Sequence, residues 1–150
     1  MIQRIQSVYL LLAAILGVVC LSQPLGHLIT ADGERYATLY NLWLRTTEGG
    51  TSFSPWVLFA LLLGISAGTL LNIFLFRRRA LQMRVATTCM ILLTGYYASL
   101  AFFAWNLAGD GSFRPSLTAA LPFVCLVLDY LAFRGILKDE MLVRSLDRLR

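Results

Sequence analysis

Charge is scarce in this chain, and its absence comes in blocks. Only 14% of the 150 residues are charged and 58% are hydrophobic, where soluble domains average about 25% and roughly 45–50%. Residues 53–76 contain no charge at all. Histidine occurs once, as His27, so neither a Ser/His/Asp set nor a histidine metal site has the partners it needs. The three cysteines, Cys20, Cys89 and Cys125, each fall inside an apolar run without CxxC spacing, and they read as small hydrophobes. No glycine-rich phosphate loop follows a strand. With no convergent acid, base or nucleophile, an enzyme is disfavoured, and neither a cofactor nor a metal is expected.

What is present is a series of apolar runs long enough to cross a hydrocarbon core of about 30 Å at 1.5 Å per residue. Four spans are expected, at residues 7–22, 53–76, 81–105 and 115–133. The first has the look of a signal peptide, but Val18-Val19-Cys20-Leu21-Ser22 lacks the small-x-small cleavage pattern, so an uncleaved helix is expected. Pro115 is expected to open the fourth helix, and Pro122 to bend it. Between the first two spans, residues 23–52 turn polar. Asp32-Gly33 is a turn signal between two short runs, the second alternating through Tyr36, Thr38, Tyr40 and Leu42, which predicts a small β-hairpin. His27 stands alone in this loop and reads as solvated. After residue 133 the apolar positions Ile136, Leu137, Met141, Leu142, Leu146 and Leu149 recur at helical spacing among charges, predicting a separate amphipathic helix over residues 134–150.

The net charge of +5 raises the question of nucleic acid, but the cations flank apolar runs and serve to orient them. With four spans, Arg4, Arg77, Arg78, Arg79, Arg84, Arg134, Lys138, Arg144, Arg148 and Arg150 share one side, ten in all, and Arg35, Arg45 and Arg114, three, lie on the other. By the positive-inside rule the ten-cation side, with both termini, is cytoplasmic. The fold class expected is therefore an all-α four-helix membrane bundle, N-in and C-in, forming one domain with an extracytoplasmic hairpin and a cytoplasmic tail. Trp43, Trp56 and Trp105 fall near the outer boundary, as an aromatic belt would.

Two sets of residues inside the spans stand out. Ala60, Gly64 and Gly68, spaced by four and including a GxxxG, predict a helix-packing ridge. Asp129 and Asn72 each lie five residues before a cytoplasmic arginine, so both sit at similar depth, roughly 7 Å inside the boundary by helical rise. A bare carboxylate there costs a few kcal/mol and needs a partner. The expected arrangement is a polar clasp in which Arg84, or failing it Arg4, pairs with Asp129 beside Asn72. A proton or ion site on Asp129 is the alternative.

Met1-Ile-Gln-Arg-Ile-Gln-Ser-Val-Tyr-Leu-Leu-Leu12, Leu71-Asn-Ile-Phe-Leu-Phe-Arg77 with Leu81-Gln-Met-Arg84, and Lys138-Asp-Glu-Met-Leu-Val-Arg-Ser-Leu-Asp-Arg-Leu-Arg150 together resemble a Bacteroidota family. It is catalogued as domain of unknown function 4293, small integral membrane proteins with four predicted spans. The resemblance covers the whole chain and implies a bacterial inner membrane with a periplasm outside. It brings no activity. The functional expectation is a non-enzymatic structural or accessory subunit. Arg77, Arg78, Arg79, Lys138, Arg144, Arg148 and Arg150 would contact lipid, a membrane or cytoplasmic protein, or a second copy, with no nucleic acid. An ion or small-molecule carrier using Asp129 is the first alternative and a lipid-acting enzyme the second.

Overall fold

The computed structural model describes residues 2–147, with side chains from Ile5 to Ser145 apart from Arg77 and Arg144. Four helices, α1 (Ile2–Ser22), α2 (Trp56–Phe74), α3 (Arg79–Ala108) and α4 (Leu121–Asp147), each contain a stretch long and apolar enough to cross a membrane. They form a ring in which α1 packs on α2 and α4, and α3 packs on the same two. That is the arrangement expected when consecutive helices alternate in direction and are joined by short connections. The connection from α2 to α3 is a single 3-10 turn, Leu75–Arg77. We call this the turn end of the bundle, and the opposite end the sheet end.

The expected all-α class with one small hairpin is corrected by a five-stranded antiparallel sheet in the order β4-β3-β2-β1-β5. The anticipated hairpin is its centre: β1 (Pro24–Ile29) pairs with β2 (Arg35–Tyr40) across the Asp32-Gly33 turn, where Gly33 has φ +86°. The chain then continues into β3 (Leu44–Thr46) and β4 (Thr51–Ser52), reversing at Gly49, φ +88°. The fifth strand, β5 (Ser112–Pro115), comes from the α3–α4 connection and pairs with β1. It carries one apolar residue, Phe113, so neither alternation nor length marks it as a strand. Its pairing instead depends on close approach: a Cβ at Gly111 would overlap the Ile29 carbonyl oxygen, and one at Gly26 would sit 2.6 Å from the Arg114 carbonyl oxygen.

Two expectations about prolines fall with β5. Pro115 ends the strand instead of opening a helix, and α4 starts at Leu121 after a 3-10 turn at Leu117–Ala120. Pro122 therefore lies in the first turn of α4, where its missing N–H leaves no helical bond unmade, and no mid-helix bend follows from it. The tail, expected as a separate helix from residue 134, is the uninterrupted end of α4.

The sheet is tied to the bundle through its apolar face and a few buried polar bonds. Leu25, Leu28, Ala37 and Leu39 are buried, and Leu25 and Leu39 join a core with Leu58, Leu62, Leu93, Tyr96 and Leu100. Asn41, in the β2–β3 turn, is fully buried; its amide donates to the Cys20 carbonyl at 2.8 Å and its oxygen accepts from the Tyr96 hydroxyl at 2.8 Å. Tyr36 donates to the Leu107 carbonyl, Thr118 to the Pro24 carbonyl, and the Ser116 backbone N–H to the Leu25 carbonyl. His27 stands in β1, its Nδ1 3.3 Å from the Thr38 hydroxyl. Partial burial, with the charge of Arg35 added, holds its pKa below the usual imidazole value.

Candidate functional site: a buried acid in the turn-end half of the bundle

Seven polar side chains are buried among the described residues, and six of them, all but Asn41, lie from the middle of the bundle to its turn end. Ser66, Thr69 and Asn72 are spaced by three along α2, so they share a face and descend toward the turn end. At the top of this series Ser66 donates to the Leu62 carbonyl and lies against Gly17 of α1, whose missing side chain makes the approach possible. Asp129 of α4 faces Thr69 from across the ring. Cys89 of α3 and Cys125 of α4 stand nearby; their thiols donate to the backbone carbonyls of Ile65, at 3.9 Å, and Ala13, at 3.3 Å.

Asp129 is 1% exposed and Asn72 0%. Among the described residues, neither carboxyl oxygen of Asp129 and neither amide atom of Asn72 has a hydrogen-bond partner. The Thr69 hydroxyl faces the carboxyl without closing a bond to it. Four orphaned polar atoms in a dry helical core are uncommon, because each forfeits its hydration without replacement at about 1–3 kcal/mol.

The expected clasp is corrected here. Arg84 is exposed, in an open groove with Met83, Thr88 and Phe133. The reason is helical phase: α3 buries Gln82, Ala86, Cys89 and Leu93, and position 84 is two residues from both 82 and 86, hence on the opposite side. Depth placed Arg84 beside Asp129, but rotation removes it. The other named partner, Arg4, has a side chain outside the described residues. The packing ridge is displaced for the same reason. The buried face of α2 carries Leu58, Leu62, Ile65, Ser66, Thr69 and Asn72. Ala60 and Gly64 are exposed, and nothing lies within 4 Å of a Cβ built on Gly64. Only Gly68 meets a neighbour, the Cys89 sulfur, 3.1 Å from where its Cβ would be.

Toward the turn end the polar series continues through Gln82, Gln6 and Asp139. Gln82 is buried and its amide donates to the Asn72 carbonyl at 3.3 Å. Below it, a narrow crevice is lined by Gln6, Ser7, Arg79, Gln82 and Asp139. Gln6, also buried, donates to the Asp139 carboxylate at 2.9 Å, and Arg79 donates to the Asp139 backbone carbonyl at 3.2 Å. Gly135 makes room for the Gln6 side chain, which a Cβ there would meet at 2.9 Å. Spacing was the one signal available for this series: Ser66, Thr69 and Asn72 mark a polar stripe. Gln6 and Asp139, 133 residues apart in the chain, could be joined only by the fold.

Of the outward-facing cations, Arg78, Arg134 and Lys138 are exposed at this end, whereas Arg79 is half-buried in the crevice. The side chains of Arg77, Arg144, Arg148 and Arg150 lie outside the described residues. Among the described residues, no group of three His, Cys, Asp or Glu is placed to hold a metal.

The class defined by these features is a ring of four helices, each long and apolar enough to cross a membrane, capped at one end by an antiparallel sheet and carrying in its core an acid that has no hydrogen-bond partner among the described residues. A family model described as Domain of unknown function (DUF4293) matches residues 2–149, and the chain belongs to that family. Neither the curated proteins nor the solved structures yield a match.

Proposed function

We propose that this chain is a multi-pass protein of a bacterial inner membrane, such as that of the Bacteroidota, with its turn end cytoplasmic and its sheet in the periplasm. In this reading it acts as a non-enzymatic accessory subunit that engages a partner through its cytoplasmic end. Membrane placement is supported by the outward-facing side chains. Only 28–33% of the residues in the four apolar windows are buried, and Ile91, Phe74, Leu71 and Phe102 are 60–70% exposed. Such surface around a whole bundle needs lipid to cover it.

The partner reading is carried by the course of α4. It runs unbroken to Asp147, and the Gln6–Asp139 and Arg79–Asp139 bonds fix its cytoplasmic part to α1 and α3. The tail is then a preformed helix presenting Leu137, Lys138, Met141, Leu142 and Val143, all exposed. An amphipathic helix held in place binds at lower entropic cost than a disordered segment. The test is affinity purification in mild detergent of the full chain beside a chain ending at Glu140, which keeps the Asp139 lock. Loss of a stoichiometric partner on truncation is expected; an unchanged set of co-purifying proteins would reject the reading.

A carrier is the second reading, favoured by the orphaned Asp129. Against it, Leu58, Leu62, Leu93, Leu100 and the Asn41–Tyr96 bond close the sheet-end half of the ring. Flux in reconstituted vesicles that disappears in Asp129→Asn would put the carrier ahead of the accessory subunit.

A further inference from the structure

We infer that the Asp129–Asn72 pair is a binding site for a monovalent cation, a proton or an alkali metal ion, reached from the turn end of the bundle through Gln82. It goes beyond the accessory reading and holds whether or not the tail binds a partner.

Among the described residues Asp129 presents two unpartnered oxygens with the Thr69 hydroxyl facing them, and Asn72 carries a third one turn from Thr69 along α2, toward the turn end. Oxygen donors of this kind suit hard monovalent cations, and a carboxylate in a dry core needs a positive charge to balance it. The described residues do not supply one. On α2 the group facing Asp129 is Thr69, with Asn72 one turn further along the same buried face; on α3 there is Cys89; on α4 itself there is Cys125. On α1 the stretch between Gln6 and Ala13 holds one titratable side chain, the half-buried Tyr9. No lysine or arginine with a described side chain is among them, and Arg84 faces away.

The route follows from the asymmetry of the bundle. Toward the sheet end, Ile65, Leu62 and Leu93 form an apolar layer. Toward the turn end, Gln82 touches the Asn72 backbone on one side and lines the crevice of Gln6 and Asp139 on the other. Among the described residues a polar series thus runs from Thr69 beside Asp129 through Asn72 and Gln82 to the crevice at the turn end. The crevice holds both the Asp139 carboxylate and the Arg79 guanidinium, so a cation would enter on the carboxylate side of it.

Infrared difference spectroscopy of the purified full-length protein in detergent tests this. Asp129 is assigned as the protonated-carboxyl C=O band that vanishes in Asp129→Asn and shifts in Asp129→Glu, both checked for monodispersity and helical content. Loss of the band on adding sodium or potassium at constant pH assigns an alkali ion. Loss only on raising pH, with the acid-to-carboxylate ratio falling about tenfold per pH unit, assigns a proton. A band indifferent to both, or a carboxylate that never protonates in alkali-free buffer, would overturn the site. For the route, transfer to D2O should shift the band several-fold more slowly in Gln82→Leu than in the unmodified protein. Equal rates would overturn entry through Gln82.

Discussion

Replacing Asn41 by alanine should destabilise the protein by about 2–4 kcal/mol, the largest loss expected from any single polar side chain in it. Asn41 is fully buried and makes one bond to the end of α1 and one to the middle of α3, so it pins the β2–β3 turn to two helices at once. Alanine leaves the Cys20 carbonyl without its side-chain donor and the Tyr96 hydroxyl without its acceptor, both in a dry place, and adds a cavity. Tyr96→Phe should cost less, about 1–2 kcal/mol, because it orphans only the Asn41 oxygen. Combining Tyr96→Phe with Asn41→Ala should add little to Asn41→Ala alone, since one bond is removed in either case. Thermal unfolding in detergent measures all three. Additive losses would mean that the Tyr96–Asn41 bond is not formed.

Asp129→Val should have the opposite sign. In buffer free of alkali cations it should stabilise the fold by about 1–3 kcal/mol, the relief of two unsatisfied oxygens, because valine is close to aspartate in volume. Had Asp129 been held by Arg84 in a buried pair, the same change would strand a charge and cost about 3–5 kcal/mol. The two arrangements thus differ in sign, and one unfolding midpoint separates them. Sodium or potassium should stabilise the unmodified protein and leave Asp129→Val unaffected if the site takes an alkali ion, since a ligand bound only by the native state raises its stability.

The contrast between Arg84 and Asp129 shows what could be read from the sequence. Run length located four helices long and apolar enough to cross a membrane, in their order along the chain, because length and composition are one-dimensional. Rotation about the helix axis is not. In helices that are apolar on every side, hydrophobicity does not distinguish the outer face from the core face, so spacing and depth alone point Ala60, Gly64 and Arg84 inward. The polar stripe Ser66, Thr69, Asn72 would have set the phase of α2 correctly, and Gln82 that of α3. The sheet was half legible for a similar reason. The β1–β2 hairpin has its own turn and alternation, whereas β5 is a strand only because Gly26 and Gly111 let it lie against β1. The tail was recognised as helical, but its continuity with α4 depends on Gly135 and Asp139 meeting Gln6, a contact between the two ends of the chain.

The partner reading requires the turn end to face the cytoplasm and the sheet to face the periplasm. Sidedness can be measured directly, because Cys20, Cys89 and Cys125 are at most 3% exposed and should not react with a membrane-impermeant maleimide. Glu48 in the β3–β4 turn and Lys138 on α4 are both exposed and lie at opposite ends. In intact spheroplasts, Glu48→Cys should label at once and Lys138→Cys only after permeabilisation. Labelling of Lys138→Cys in intact spheroplasts, with Glu48→Cys protected, would contradict this orientation and place Asp129 on the opposite side of the membrane.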